Sequence, residues 1–352
     1  MMIIGCDFHP SWQQVSWLDT ETGESGERKL VQASGDAERF YRQLPAPALI
    51  GMEATGNCHW LVDLLAELGH ELWVGDAAQI RASCVRQQKT DRRDAEHLMH
   101  LLIENRFPRI LVPSLEVRDV RQLLVHRHKQ VQARTRTKNQ LQAMALSCGV
   151  QKKYKLWTKA GREELEQLPL LPYAAQRRQK LLAALDELEA EISQLDRRVT
   201  EEARQRPEVV LLMTHPGVGP VTGLAMVLTL GPAERFESAK QVGSYFGLIP
   251  REESSGGKQR LGKISKQGSS FLRFLLVEAG QTAARLDPQL KRFYRRLATR
   301  KNRGVAKVAV ARKLATRMYL MLREGWTYAQ LNQAVMSVSP SHPVVEQQKP
   351  TV

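Results

Sequence analysis

The stretch Met2-Ile3-Ile4-Gly5-Cys6-Asp7 decides the fold. Six residues of this kind form a buried strand, and the run ends on a carboxylate. An aspartate on an apolar strand is costly unless it has a partner. Working outward, residues 12–18 (WQQVSWL) and 28–32 (RKLVQ) read as two more strands, separated by a turn-rich segment over 19–27. Residues 36–44 read as a helix. Residues 48–53 (ALIGME) form another apolar run, closed by Ala54-Thr55-Gly56. Trp60, Leu61, Leu64, Leu65 and Leu68 then carry helical spacing over 57–68, and Gly69 is a stop signal. A strand at 70–75 and a helix at 91–104 complete the pattern. Three strands, a helix, and then alternating strands and helices predict an α/β domain with a mixed sheet over residues 1–112.

The acids of this region fall at telling places. Glu53 ends its apolar strand as Asp7 ends the first, and Asp91 and Asp94 are three apart on one helix face. Each has a plain structural reading. Asp91 could cap its helix with Asp94 in the first turn, Thr55 could cap the helix after Glu53, and Asp7 could be a turn residue. Converging carboxylates repel one another and are tolerable when divalent cations neutralise them. Oxygen ligands of this kind suit Mg2+ or Mn2+. Two such ions ~4 Å apart can hold the attacking and leaving oxygens of a phosphoryl transfer. The order strand-end Asp, strand-end Glu, helical Asp-x-x-Asp resembles the RNase H-like fold of the RuvC type of nuclease. Sugar kinases and actin-like ATPases share that fold, but they need a Gly/Thr phosphate hairpin after the first aspartate. Phe8-His9-Pro10-Ser11 does not supply one.

Charge divides the chain. Its 352 residues carry a net +15, but residues 1–120 carry −6, residues 121–250 carry +7 and residues 251–330 carry +14. From Arg121 to Arg162 there are eleven basic residues and no acidic one. A basic protein of this kind is expected to meet nucleic acid. No apolar run approaches the ~20 residues of a membrane span, so no membrane partner is expected. The N-terminus shows no secretory pattern, and Cys6, Cys58, Cys84 and Cys148 are scattered without a C-x-x-C. Both features point to a reducing cytoplasm, and a chain that meets DNA would be nucleoid-associated while it acts.

After Pro113 the strand signal disappears. Long helices are expected at 115–147 and 176–203, within a helical connector spanning 113–205. In the second, Leu181, Leu185, Leu188, Ile192, Leu195 and Val199 form a heptad seam. That seam could pack on the first long helix or on a second copy of the chain. Residues 206–330 read as a mainly α domain, and 331–352 as a disordered tail. Within the domain, Thr214-His215-Pro216-Gly217-Val218-Gly219-Pro220 resembles a helix-hairpin-helix motif, in which Gly217 and Gly219 would let the backbone approach a phosphate. A tight inter-helical turn is the plain alternative. Ser254 and Ser255 sit in a glycine-containing polar loop among Arg251, Lys258, Arg260 and Lys266, with Arg273 further on. This is a phosphate-facing setting or a flexible polar loop.

Taken together, the motifs resemble those of the transposases of insertion sequence family one hundred and ten, the DEDD recombinases guided by a bridge RNA. The residues that carry the resemblance are Gly5-Cys6-Asp7, Met52-Glu53-Ala54-Thr55-Gly56 and Lys89-Thr90-Asp91-Arg92-Arg93-Asp94-Ala95. In the second half they are Pro216-Gly217-Val218-Gly219, Gly247-Leu248-Ile249-Pro250-Arg251, and Ser265-Lys266-Gln267-Gly268 with Leu272-Arg273. The likeness spans about residues 2–325, with Cys6 a mild departure from the Ile or Val common there. It implies an RNase H-like (RuvC-like) domain in which Asp7, Glu53, Asp91 and Asp94 bind metal, Mg2+ or Mn2+ and two ions. It also implies a serine nucleophile that forms a 5′-phosphoserine, placed at Ser255 with Ser254 as its neighbour. It further implies donor and target DNA, a bridge noncoding RNA, and a dimer of dimers pairing the carboxylates of one subunit with the serine of another. Two other readings stand beside it: a RuvC-like nuclease that uses water without a covalent intermediate, and a non-catalytic nucleic-acid-binding protein.

Overall fold

The computed structural model of the chain describes residues 1–84, 90–151, 155–252 and 260–337. It divides into two units, Met1–Pro113 and Ser114–Val352.

The first unit is built on β1 (Met2–Phe8), β2 (Trp12–Asp19), β3 (Ser25–Val31), α1 (Asp36–Gln43), β4 (Leu49–Glu53), α2 (His59–Glu67), β5 (Glu71–Gly75), α3 (Ala77–Ser83) and α4 (Asp91–Ile103). The strand order is β3-β2-β1-β4-β5. β1 runs antiparallel to β2 and parallel to β4, and β4 runs parallel to β5. β1 is therefore central, and it is apolar from Met2 to Cys6 because both of its faces are covered there. Ile4 and Cys6 point into a core with Tyr41 of α1 and with Leu61 and Leu65 of α2. Ile3 points the other way, into a core with Leu98, Met99, Leu101 and Leu102 of α4. The helix α3 is absent from the sequence reading. Its local signal is Asp76, whose side chain accepts from the amides of Ala78 and Gln79 as an N-cap.

The second unit contains α5 (Leu115–Ser147), α6 (Lys159–Glu166), α7 (Pro172–Arg204), α8 (Pro207–Met213), α9 (Pro220–Leu230) and α10 (Ala239–Tyr245). It continues with β6 (Pro250–Glu252), β7 (Leu261–Ile264), α11 (Ser270–Leu286), α12 (Pro288–Arg300), α13 (Arg303–Glu324) and α14 (Tyr328–Ser337). α5 and α7 lie antiparallel. Arg127 Nε reaches Asp196 at 2.8 Å, and further along Lys138 Nζ reaches Glu189 at 2.7 Å. On α7, Leu185, Ile192, Leu195 and Val199 of the heptad seam are buried within the chain, while Leu181 and Leu188 are half-buried. These cross-helix pairs also change the meaning of the basic run from Arg121 to Arg162. Arg127 and Lys138 are met by acids of α7, Arg162 pairs with Asp186 at 2.7 Å, and Arg121 donates to Leu228 O at 2.5 Å. Part of that run is an internal ion-pair lattice rather than a bare basic face.

α9, α11 and α13 form the main core of this unit, through residues such as Leu224, Met226, Leu276, Ala283, Leu314 and Met318. One charged pair lies inside it. Asp287 caps α12 and also meets Arg317 Nη1 of α13 at 2.7 Å, with the Tyr328 hydroxyl donating to the same carboxylate at 2.7 Å. On either side of the polar stretch expected over 252–260, of which 253–259 lie outside the described residues, β6 and β7 pair antiparallel. Strands of three and four residues carry too little alternation to be read from periodicity.

Candidate active site

The site of the first unit depends on a glycine that has no room for a side chain. A Cβ on Gly5 would lie 2.0 Å from Ala95 O and 2.4 Å from Met99 N. Glycine lets α4 lie directly on β1. Residues two apart on a strand share a face, so Asp7 faces α4 as Gly5 does. The same close approach brings the first turn of α4, with Asp91 and Asp94, beside Asp7. Thr90, not Asp91, caps α4: its Oγ1 accepts from the Arg93 amide at 3.4 Å. Nor does Thr55 cap α2, whose N-cap is Cys58. Asp91 and Asp94 still benefit from the positive end of the helix dipole.

Asp7 Oδ2 lies 3.2 Å from His9 Nε2, and His9 Nε2 lies 3.8 Å from Asp91 Oδ1. The ligand atoms of Asp7, His9 and Asp91 all fall within 4.8 Å of one another. Burial holds the Asp7 carboxyl above its ordinary range; the charges of Asp94 and Asp91 add to this, and His9 opposes it. Glu53 is one residue beyond the register pair Cys6↔Met52, half-buried, on the strand next to Asp7. Its parity gives it the same face as Asp7. The structure thus gathers Asp7 and Asp91 at ligand distance, sets Asp94 within electrostatic reach, and puts Glu53 on the adjoining strand end. The side chains of Asp7, His9 and Asp91 are 19%, 38% and 52% exposed, which leaves the group open to a solvent-borne substrate. Two carboxylates and an imidazole at this spacing fit a divalent cation.

His9 was not singled out from the sequence. It stands just past the end of β1, where strand alternation no longer assigns a face. Cys6 points the opposite way. Its thiol donates to Gln13 Oε1 at 3.4 Å, and burial pushes it up to about 12, so it is inert packing.

In the second unit, the positions Ser254, Ser255 and Lys258 lie outside the described residues. The strands on either side are described. Arg251, Arg260, Leu261, Gly262 and Lys263 line an open depression of about 400 Å³. Lys263 was missed from the sequence; it faces solvent from β7. The base of the strand pair is clasped. Gly247 has φ 64°, and a Cβ there would lie 2.3 Å from the Gln267 amide nitrogen. The Lys266 amide donates to Gly247 O at 3.2 Å, while its side chain is exposed. Arg273 was expected to face phosphate. Instead its Nη1 turns inward and donates to Phe246 O at 3.3 Å, Gly268 O at 3.1 Å and Gln267 O. Desolvation lowers its pKa accordingly. Its observed work is to tie two loops together.

The glycines of the 214–220 turn also separate. Gly217 has φ 88° and faces α11, where a Cβ would lie 2.7 Å from Ala283 N. It serves internal packing. Gly219 precedes α9 with open space where a Cβ would be.

A sheet of order β3-β2-β1-β4-β5, with acids at the ends of β1 and β4 and at the start of α4, is that of an RNase H-like domain. Comparison with known families makes the assignment specific. A family model of the DEDD transposases of IS110 matches residues 4–148, and one described as "Transposase IS116/IS110/IS902 family" matches residues 209–295. The chain is 30% identical over 339 residues to a Pseudomonas aeruginosa protein named "Probable family 20 transposase", covering 92% of this chain and 98% of that one. It is 26% identical over 293 residues to the transposase for insertion sequence element IS1328 of Yersinia enterocolitica, covering 80% and 86%. It is 31% identical over 140 residues to the pilin gene-inverting protein of Moraxella lacunata, covering 38% and 44%. The chain belongs to the IS110 family of transposases. It is therefore an insertion-sequence transposase, an enzyme that cuts and rejoins DNA, and the non-catalytic reading falls. Its DEDD domain type goes with dependence on a divalent metal. Among the described residues, no helix is long and apolar enough to cross a membrane.

Proposed function

We propose that Asp7, Glu53, Asp91 and Asp94 hold divalent cations, Mg2+ or Mn2+ and two in number, and that Ser255 is the nucleophile, with Ser254 as its neighbour candidate. The observation that carries the metal reading is the convergence of Asp7 and Asp91 on one face at the start of α4. A cation bound there would draw charge from a phosphate oxygen and make phosphorus more electrophilic. The carboxylates supply the fixed oxygens, and Gly5 keeps α4 close enough for them to act together.

Ser255 falls in the sequence between two strands that bear Arg251 and Lys263, within the region matched by the second family model. In the proposed cleavage its hydroxyl gives up its proton, the Oγ–P bond forms, and the P–O3′ bond breaks. The released 3′ oxygen takes up a proton. Attack of a 3′ hydroxyl on the phosphoserine reverses these changes and rejoins DNA. Arg251, Lys258, Arg260 and Lys266 would neutralise phosphates beside it, and Gly219 would offer the open start of α9. A bridge RNA as guide and a dimer of dimers complete the reading.

The test is a covalent adduct. Protein incubated with Mg2+, the element's RNA and its DNA should form a denaturant-resistant protein–DNA species. Ser255→Ala should abolish it, and an adduct lost only in Ser254→Ala would move the role one residue. Cleavage without any adduct would instead establish a water-using nuclease. Recombination at full rate without RNA would remove the guide from the proposal.

A further inference from the structure

We propose that His9 is a nitrogen ligand to the cation held by the carboxylates, and that it biases the site toward transition-metal ions such as Mn2+ over Mg2+. The inference rests on the metal reading of Asp7 and Asp91 and adds a donor of different chemistry to it.

The His9 ring is held in place from several sides. It stacks on Trp12 with ring centroids 4.1 Å apart and an interplanar angle of 26°. Lys29 Nζ lies 4.2 Å from the Trp12 ring centroid. The His9 amide donates to Trp12 O at 2.9 Å, and Gln32 Nε2 donates to His9 O at 2.6 Å. Backbone and ring are therefore both tied to the neighbouring strands, and the face-on contact with Trp12 sets the ring plane. Within that plane Nε2 is the atom aimed at the acids, 3.2 Å from Asp7 Oδ2 and 3.8 Å from Asp91 Oδ1.

Those spacings suit a shared cation. With metal–ligand bonds of about 2.1 Å in octahedral geometry, adjacent donors lie about 3 Å apart and opposite donors about 4.2 Å. A simple ion pair would account for the contact with Asp7. It would not require a second carboxylate, from a different element, to face the same nitrogen. The donor type then matters. Mg2+ prefers oxygen and gives up water reluctantly, whereas imidazole suits later divalent ions and raises affinity along the first-row series. One nitrogen among carboxylates shifts preference without excluding Mg2+.

The test uses the full-length protein with Mn2+ as the probe. Electron spin echo modulation of bound Mn2+ should show 14N coupling from a directly bound imidazole, and His9→Ala should lose it. Mn2+ affinity, read from the free-ion EPR signal, should fall about tenfold or more in His9→Ala, within the range seen when support for a metal ligand is removed. Mg2+ affinity, read by competition, should fall by a clearly smaller factor. His9 is part-exposed, so circular dichroism should match the parent protein. Bound Mn2+ without 14N coupling in the parent protein overturns the inference and leaves the carboxylate reading standing. Mn2+ that fails to bind, or that binds Asp7→Asn as tightly as the parent, overturns both.

Discussion

The two units present charge in opposite ways. In Met1–Pro113 the site atoms stand on strand ends and on the first turn of a helix, and close packing fixes their places: Ala95 sits where a side chain on Gly5 would be. In the second unit the exposed charges of Arg251, Arg260 and Lys263 stand on or beside a pair of three- and four-residue strands, clasped at its base by Gly247 and Arg273. A cation needs ligand atoms set to within about half an ångström, which a sheet and a helix start provide. A polyanion needs net charge and reach, and its phosphates tolerate adjustment. Close-packed backbone therefore goes with the acids, and exposed side-chain charge goes with the bases.

The sharpest test of that contrast is Asp7→Asn. DNA cleavage should fall at least ~10³-fold, comparable with removing a key electrostatic group from other active sites. Thermal stability should stay level or rise, because burial, with the charges of Asp94 and Asp91, disfavours the Asp7 carboxylate by more than His9 favours it. A fall in both activity and melting temperature would mean that Asp7 is structural, and the first unit would lose its claim to be the precise half.

The second unit should respond to a different kind of change. Arg317→Met leaves the buried Asp287 carboxylate without its guanidinium, which should cost ~3–5 kcal/mol in chemical unfolding. Acid should act on the same region through His215. Burial is the main reason its pKa falls from the ordinary 6.5 to about 4, and its Nδ1 lies 2.9 Å from Pro216 O. Between those two values the unfolded chain binds the proton and the folded chain does not. Stability is therefore full above about pH 6.5 and is lost as pH falls toward 4, by up to ~3 kcal/mol. Thermal melts across this window should show the loss, and His215→Gln should flatten it. Asp287 adds a loss of the same sign at lower pH, since its folded pKa is also depressed. Burial raises that pKa, but the Leu290 amide, the Tyr328 hydroxyl and Arg317 together outweigh it.

These differences also explain what was legible in the sequence. Asp7 and Glu53 could be placed because an apolar run that stops on a carboxylate is a local pattern, and Asp91 and Asp94 because helical spacing is local too. His9 was not, since nothing local says that a residue after a strand end turns back onto an acid from another element. Arg273 looked like a phosphate ligand because a sequence shows charge but not which carbonyls lie in front of it. The basic run from Arg121 misled in the same way: the acids that meet Arg127 and Lys138 lie more than fifty residues downstream. The strand pair went unseen because strands of three and four residues carry at most two alternations, and its base is held by the clasp around Gly247, which is not local in sequence.

The smallest expected effect tests whether the strand pair belongs wholly to binding. Lys263→Ala removes one exposed positive charge beside Arg251 and Arg260. If that lysine neutralises a phosphate of duplex DNA, the slope of log affinity against log salt should shrink by about 0.9. Affinity at fixed salt should fall a few-fold, uniformly across DNA sequences. Cleavage at saturating DNA should not change, because the charge acts before the reacting phosphate is engaged. Asp7→Asn should show the mirror image, an unchanged salt slope with lost chemistry. Filter binding across a salt series, paired with single-turnover cleavage, reads both quantities on the same variants. Loss of turnover in Lys263→Ala with an unchanged slope would place the strand pair inside the chemistry. The division between a fixed acidic site and an adjustable basic one would then have to be redrawn around β7.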